Sequence, residues 1–341
     1  MKFIVWGEFL YFQYEHSVVN ALRKNNIDVL IFNIREQALF EIIFKIEYFF
    51  SFSGISSFIL KRKLVKVVLK NKVNVILFWR PTILNPSDIL YIKSKTNVKT
   101  ISYVNDNPFS PLYSKGSFVQ QRLWVNFIKS IRCFDINLVY RPQNISDYIN
   151  KGSVETYLFP PAYVPDMRYE YAPSSFTYDV IFIGYPDSHR IGHLNYLIEN
   201  GVDLKVYGSG WNPKDLHPNY KYGRIIPILD QEYFLELKKS KICLAFLSKL
   251  NQDVYTRRNF EITGIGSLML SERTKELTDL FDEGTEAEYF SNKYELLNKI
   301  KILLNDENKQ KNIRLHARLK VKKAGHTIEE RVKKLIELIK N

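Results

Sequence analysis

Three segments of this 341-residue chain place glycines and arginines directly after short apolar runs, the kind of loop that brings backbone N–H groups and positive charge up to an anionic ligand. After YDVIFI the chain reads GYPDSHRIGHL. Gly184 lets the backbone approach a ligand there, and Arg190 falls at the start of the next helix, near its positive end. That pair suits a diphosphate. DLKVYGSGW ends a strand in Gly208, Ser209 and Gly210, with Trp211 beside them to pack either on a base or on the core. NQDVYTRRNFEITGIGSLML leads a polar loop through Arg257 and Arg258 into a helix that ends at glycines and is followed by a strand. Upstream, VNDNPFSP carries Asp106, which is either a general base or a cap for the turn before Pro108. Glu8, His16 and His189 also stand near loops, and no role is assigned to them.

The elements that must position these residues alternate. Apolar runs at 3–7, 27–34, 74–79, 99–106 and 136–140 are separated by helical spacing at 14–25, 36–70, 87–95, 118–132 and 143–150. Continuous apolar strands divided by helices predict a parallel sheet covered on both faces. ETYLFPPAYVPDMRYEYAPSS, rich in proline and tyrosine, reads as an interdomain linker. The alternation then restarts, with strands expected at 178–184, 203–208, 241–248, 267–272 and 286–291. The expected fold is therefore α/β, with two Rossmann-like domains facing each other across a cleft. The first spans 1–165 and would bind an acceptor, and the second spans 175–325 and would bind a donor. The amphipathic segment 326–341, with Ile328, Val332, Leu335 and Ile339 on one side, is expected to return to the first domain.

Bulk properties narrow the function classes. Cys133 and Cys243 lie in apolar segments, which argues against a disulfide scaffold or a zinc site and fits a reducing cytoplasm. No secretory signal is recognised at the start, and no stretch reaches the roughly 18 apolar residues of a membrane span. The net charge of +13 calls for an anionic partner. Lys61, Arg62, Lys63, Lys66, Lys70 and Lys72 crowd the segment after the aromatic stretch from Phe40 to Phe58. Rings followed by lysines suit an amphipathic helix with one core face and one solvated face, and also peripheral contact of 40–72 with an anionic membrane at its inner face. No nucleic-acid-binding motif organises the basic residues, so no nucleic acid is expected.

The segment from Asn251 onward, together with SERTKELTDLFDEGTEAEYFSNKYELLNKI and the closing GHTIEERVKKLIELI, resembles the C-terminal domain of GT-B glycosyltransferases of the spore-maturation-protein-like branch, related to glycosyltransferase family 4. A fainter likeness runs through YVNDNPFS, YDVIFIG and KVYGSGW. The resemblance implies transfer of a hexose-type sugar from a nucleotide sugar to a glycan, lipid-linked or protein acceptor, in cell-surface glycan biosynthesis. It implies that Glu261 accepts hydrogen bonds from the donor ribose, and that Asp253, eight positions earlier, faces the transferred sugar with Asp in place of the usual Glu. Arg190 takes the position of the family's lysine, Tyr185 stands where an arginine is usual, and Arg257 and Arg258 make up that charge. Fixed cations stabilise a departing nucleoside diphosphate without a metal, so no cofactor is expected beyond the co-substrate, with UDP, GDP and dTDP all open. In an inverting reaction Asp106 would take the acceptor proton. Two other readings remain: a nucleotide-sugar epimerase of the same fold, and a basic, nucleic-acid-directed relative without activity.

Overall fold

The computed structural model describes residues 1–166 and 175–340. They form two compact units. The first holds Met1–Pro161, Lys249–Asp253 and the C-terminal helix Ile328–Lys340; the second holds Ala162–Ser248 and Val254–Thr327.

In the first unit six strands run parallel: β1 (Lys2–Gly7), β2 (Asp28–Asn33), β3 (Val75–Trp79), β4 (Lys99–Val104), β5 (Ile136–Val139) and β6 (Glu155–Leu158). Their order is β2-β1-β3-β4-β5-β6. The central strands are apolar along their whole length because both faces are covered: Phe3, Ile4, Val5 and Trp6 are all buried, and Trp6 stacks on Phe32 with ring centroids 5.0 Å apart. The chain reverses its direction of sheet growth between β1 and β3, and loops at the carboxyl ends of strands beside such a point are where ligands bind in this architecture.

The second unit repeats the plan with β7 (Tyr178–Ile183), β8 (Leu204–Tyr207), β9 (Ser240–Ala245), β10 (Met269–Glu272) and β11 (Glu288–Phe290), all parallel in the order β11-β10-β9-β7-β8. Its reversal lies between β7 and β9. Val180, Phe182, Ile242, Leu244 and Phe246 form the centre of its core. Helix entry is chemically marked: Asp187 accepts from the Arg190 N–H at the start of Ser188–Glu199, and Thr256 with Asn259 forms a capping box on Arg257–Gly264.

Several expectations are corrected. The segment 36–70 is not one helix but Ile34–Gln37, Glu41–Phe50 and Ile55–Asn71. The break follows from Ser51 in the left-handed region (φ 50°) and from Glu47, whose buried carboxylate accepts from the N–H groups of Ile55 (2.7 Å) and Ser56 (2.8 Å) and so starts the next helix. Part of the expected linker is a strand: ETYL forms β6, an edge strand whose side chains are half-buried or exposed and therefore carry no apolar run. Residues 167–174 of that linker lie outside the described residues. Lys249–Asp253, expected in the second domain, belongs with the first unit, to which polar side chains tie it. The helix Ile328–Lys340 also lies with the first unit; Lys24 pairs with Glu329 at 2.9 Å, and Ile336 rather than Ile339 completes its buried side.

Candidate functional site

The candidate side chains lie in the loops and helix starts that follow the strands of each unit. In the second unit Gly184 follows β7 directly. Its carbonyl accepts from the indole Nε1–H of Trp211 at 2.8 Å, and Trp211 meets the edge of Phe182, so the ring that sequence left open between base and core closes the loop onto the core. Gly208 has φ 152°, and a Cβ there would lie 1.9 Å from the Gly184 carbonyl oxygen. Glycine is required because two loop backbones touch. Ser209 sits in the bend between Gly208 and Gly210.

Arg190 is buried in the first turn of its helix. Its guanidinium donates to the carbonyls of Tyr185 (3.1 Å) and Leu247 (3.2 Å) and pairs with Asp187 at 3.1 Å. It thereby joins the loop after β7 to the loop after β9, across the reversal point of the sheet. These bonds give the residue a scaffolding part beside the diphosphate contact expected of it. His189, left without a role, pairs with Glu272 at the end of β10 (2.5 Å), while the second oxygen of Glu272 accepts from the Leu247 N–H at 2.6 Å.

Glu261 lies in the second turn of Arg257–Gly264 and is buried. One carboxylate oxygen accepts from the Tyr233 hydroxyl at 2.9 Å, and the other is 3.5 Å from Arg257 Nε. Burial first, and then the charge of Glu261, holds the Tyr233 hydroxyl well above the usual phenol range, so it remains a donor at every working pH. Arg258 Nε is buried and has no hydrogen-bond partner among the described residues. Sequence reasoning missed Tyr233; its signal was the inward spacing of Tyr233, Phe234 and Leu237 in DQEYFLELK.

In the first unit a run of polar side chains crosses the ends of β1, β3, β4 and β5. Arg35 pairs with Glu8 (2.7 Å), Glu8 accepts from the Tyr48 hydroxyl, and Tyr48 accepts from Arg80 at 3.1 Å. Arg80 Nε stands 3.4 Å from Asp106, whose other oxygen accepts from the Asn251 amide at 3.1 Å. Arg80 holds φ 50°, a region non-glycine residues rarely enter, while its guanidinium faces the Trp124 ring at 5.4 Å. Burial, with the nearby Asp106 charge second, pushes the Tyr113 phenol up to about 12; its hydroxyl donates to Asn251. The turn-capping reading of Asp106 fails, since Asn107 accepts from the Phe109 N–H at 3.1 Å and does the capping.

Asp253 is engaged within the first unit. Arg141, buried at the end of β5, holds its carboxylate through Nε (2.8 Å) and Nη2, and donates to the Asn105 carbonyl at 3.0 Å. The carboxylate expected to face the transferred sugar thus has as a partner a cation 112 residues away that no local pattern ties to it. Arg80 and Arg141 were both overlooked, although each is an arginine between an aromatic residue and a proline at a strand end, in WRP and YRP.

Two fully parallel, helix-covered sheets with their polar side chains at the strand ends define the architecture. Residues 192–337 match a protein-family model described as Glycosyl transferase-like. The chain has the GT-B fold. Among solved structures, the GT-B fold is shared with sucrose-phosphate synthase from Thermosynechococcus elongatus at TM-score 0.67 and 11% identity, covering 100% of this chain and 98% of that one. HepE from Anabaena, in complex with UDP and glucose, aligns at TM-score 0.66 and 11% identity over 100% and 99% of the two chains. A putative UDP-N-acetylglucosamine 2-epimerase from Listeria monocytogenes aligns at TM-score 0.56 and 12% identity over 99% and 95%. No curated protein matches the sequence. At these identities the likeness establishes the GT-B fold alone. Among the described residues no group of three or more His, Cys, Asp or Glu is placed to hold a metal ion.

Proposed function

We propose that this GT-B protein transfers a hexose-type sugar from a nucleoside-diphosphate sugar to a hydroxyl of a glycan, lipid-linked or protein acceptor, without a metal, at the cytoplasmic side of cell-surface glycan biosynthesis. One observation carries the reading: the helix Arg257–Gly264 opens on two arginines, and one turn later presents the buried carboxylate Glu261, already braced by Tyr233. A ribose offers two hydroxyl donors and a diphosphate offers acceptors only, so an acceptor beside two cations at one helix start matches a nucleoside diphosphate in sign and order. The buried and unpaired Arg258 Nε supports the same reading, because an orphaned charged donor is costly until an anion meets it.

In the transfer, the bond between the sugar carbon and the diphosphate oxygen breaks as a bond to the acceptor oxygen forms. The departing diphosphate gains negative charge, which Arg257, Arg258 and the helix N-terminus stabilise. Asp106 takes the proton of the acceptor hydroxyl, with Arg80 and Asn251 fixing its orientation.

The test is calorimetric titration of the full chain with UDP, GDP and dTDP in the presence of a chelator, followed by incubation of the bound nucleotide's sugars without an acceptor. Binding of one nucleotide with no chemical change to its sugar is the expected outcome. Binding of none removes the donor site, dependence on added metal removes the metal-free reading, and conversion of the sugar without an acceptor moves the protein to the epimerases.

A further inference from the structure

The helix pair Glu41–Phe50 and Ile55–Asn71 has one side built into the core of the first unit and one side that nothing in the unit uses. Phe44, Leu60, Leu64 and Val68 are buried, which fixes how the pair is turned. The outward side is apolar at one end: Ile42 is 74% exposed, Leu39 62%, Phe49 60%, Ile55 53%, Ile46 48% and Phe58 47%. Water-exposed rings and branched aliphatics at this density form a patch of the kind that marks an interaction surface.

Along Ile55–Asn71 the same outward stripe changes character within three turns. Ile55 and Phe58 give way to Arg62 and Lys66, with Lys70 and Lys72 beyond them, all exposed. Arg62 lies over the Phe58 ring at 4.2 Å, the join between the two parts. Lys61 and Lys63 turn inward, to Asp88 and to the Gln37 carbonyl. From Tyr48 to Ser87 the sequence contains no acidic residue.

We propose that this face docks the first unit on an anionic lipid surface, the rings entering the headgroup boundary and Arg62, Lys66, Lys70 and Lys72 meeting lipid phosphates. The inference is independent of the sugar-transfer reading. Charge decides the occupant. A second copy of the chain would press the same cations against each other, and protein interfaces are depleted in lysine, whereas a bilayer surface offers apolar depth and negative charge in the order this stripe presents them. The docking is peripheral. Neither helix alone is long and apolar enough to cross a bilayer; together they reach that length, yet they meet at 104°, and crossing would pull Phe44, Leu60, Leu64 and Val68 out of the core.

The experiment is co-sedimentation of the full chain with vesicles of phosphatidylcholine alone and of phosphatidylcholine with roughly one-third phosphatidylglycerol, at low and high salt. The wild type is expected to pellet with the anionic vesicles, weakly with the neutral ones, and to be released by salt and by alkaline carbonate. Each basic side chain at the surface is worth about fivefold in partitioning, so Arg62→Glu with Lys66→Glu should lower binding at least 25-fold, about the square of that factor. Ile42→Ser with Phe49→Ser should weaken binding to anionic vesicles roughly tenfold. Circular dichroism and melting of both variants verify folding, and the glutamate pair stands as a test by itself if the serine pair misfolds. Equal pelleting with both vesicle types, no pelleting at all, or variants that bind like the wild type would overturn the proposal. Retention after carbonate would replace docking by insertion, and a concentration-dependent dimer lost in the serine pair would assign the face to a second copy.

Discussion

Replacing Glu261 by alanine removes an acceptor that the structure uses internally and that the proposed donor uses externally, and the two losses can be separated. Internally, the Tyr233 hydroxyl loses its carboxylate partner at 2.9 Å in a buried site, which costs about 1–3 kcal/mol of stability. Externally, two hydrogen bonds from ribose hydroxyls to a buried charged acceptor are worth about 1.5–3 kcal/mol each. Their loss amounts to a drop of roughly a hundredfold or more in affinity. Tyr233→Phe keeps the carboxylate and loses one internal bond, so it should shift stability while leaving nucleotide affinity within a few-fold. Glu261→Gln keeps an acceptor oxygen and should fall between wild type and alanine in affinity. The assay is titration calorimetry with the nucleoside diphosphate that binds best, beside melting curves of each apo variant. Bound nucleotide at a hundredfold excess over Kd adds roughly 2.7 kcal/mol to wild-type stability, and the alanine variant should lose nearly all of that increment. If Glu261→Ala binds nucleotide as the wild type does, the ribose argument is wrong. If affinity falls equally in Tyr233→Phe and Glu261→Ala, the carboxylate acts only by holding the helix in place.

Four further outcomes follow from the same structure. Arg190→Ala should destabilise the second unit by about 3 kcal/mol, because the Tyr185 and Leu247 carbonyls lose a charged donor, and Arg190→Lys should not restore it since an ammonium cannot span both; denaturant midpoints check this. Gly208→Ala should cost about 4 kcal/mol or more, or prevent folding, given the backbone oxygen 1.9 Å from the added carbon, and soluble yield with a melting curve is the readout. Asp106→Asn should leave nucleotide affinity unchanged and reduce transfer by about a hundredfold or more, and full activity in that variant would remove the base role. Burial raises the Glu15 carboxyl above its ordinary value, so the folded state holds its proton more tightly than the unfolded chain. Stability from this group is therefore full below the unfolded value and is lost as pH rises through the folded one. Glu15→Gln retains the acceptor for the Glu8 and Phe9 N–H groups and should raise the melting temperature at pH 8 but not near pH 4.

Much of the architecture was legible because a strand buried on both faces has to be apolar throughout. Phe3–Trp6, Val75–Trp79 and Val180–Ile183 announce themselves for that reason. β6 did not, since an edge strand with half-exposed side chains carries no such run, and the prolines that follow it pointed to a linker. The helix break at Ser51–Gly54 was hidden as well: Glu47 looks like a solvated charge in sequence and becomes a buried cap only when the chain folds back to it.

Within the candidate site, sequence by itself marked the loops after the strand ends, because glycines and arginines there suit a backbone that approaches an anion. It determined the order Arg257, Arg258, Glu261 along one helix, since those positions lie within two turns. Only the tertiary structure decided which polar groups are already engaged. Asp253 is held by Arg141, Trp211 by the Gly184 carbonyl, and Arg190 by two carbonyls on separate loops. Arg141, Gly184 and Leu247 stand 112, 27 and 57 residues from the side chains they meet, separations that set no local periodicity. Hydrogen bonding is short-ranged in space and indifferent to distance along the chain, so the parallel sheets had to bring their strand ends together before any of these pairings existed.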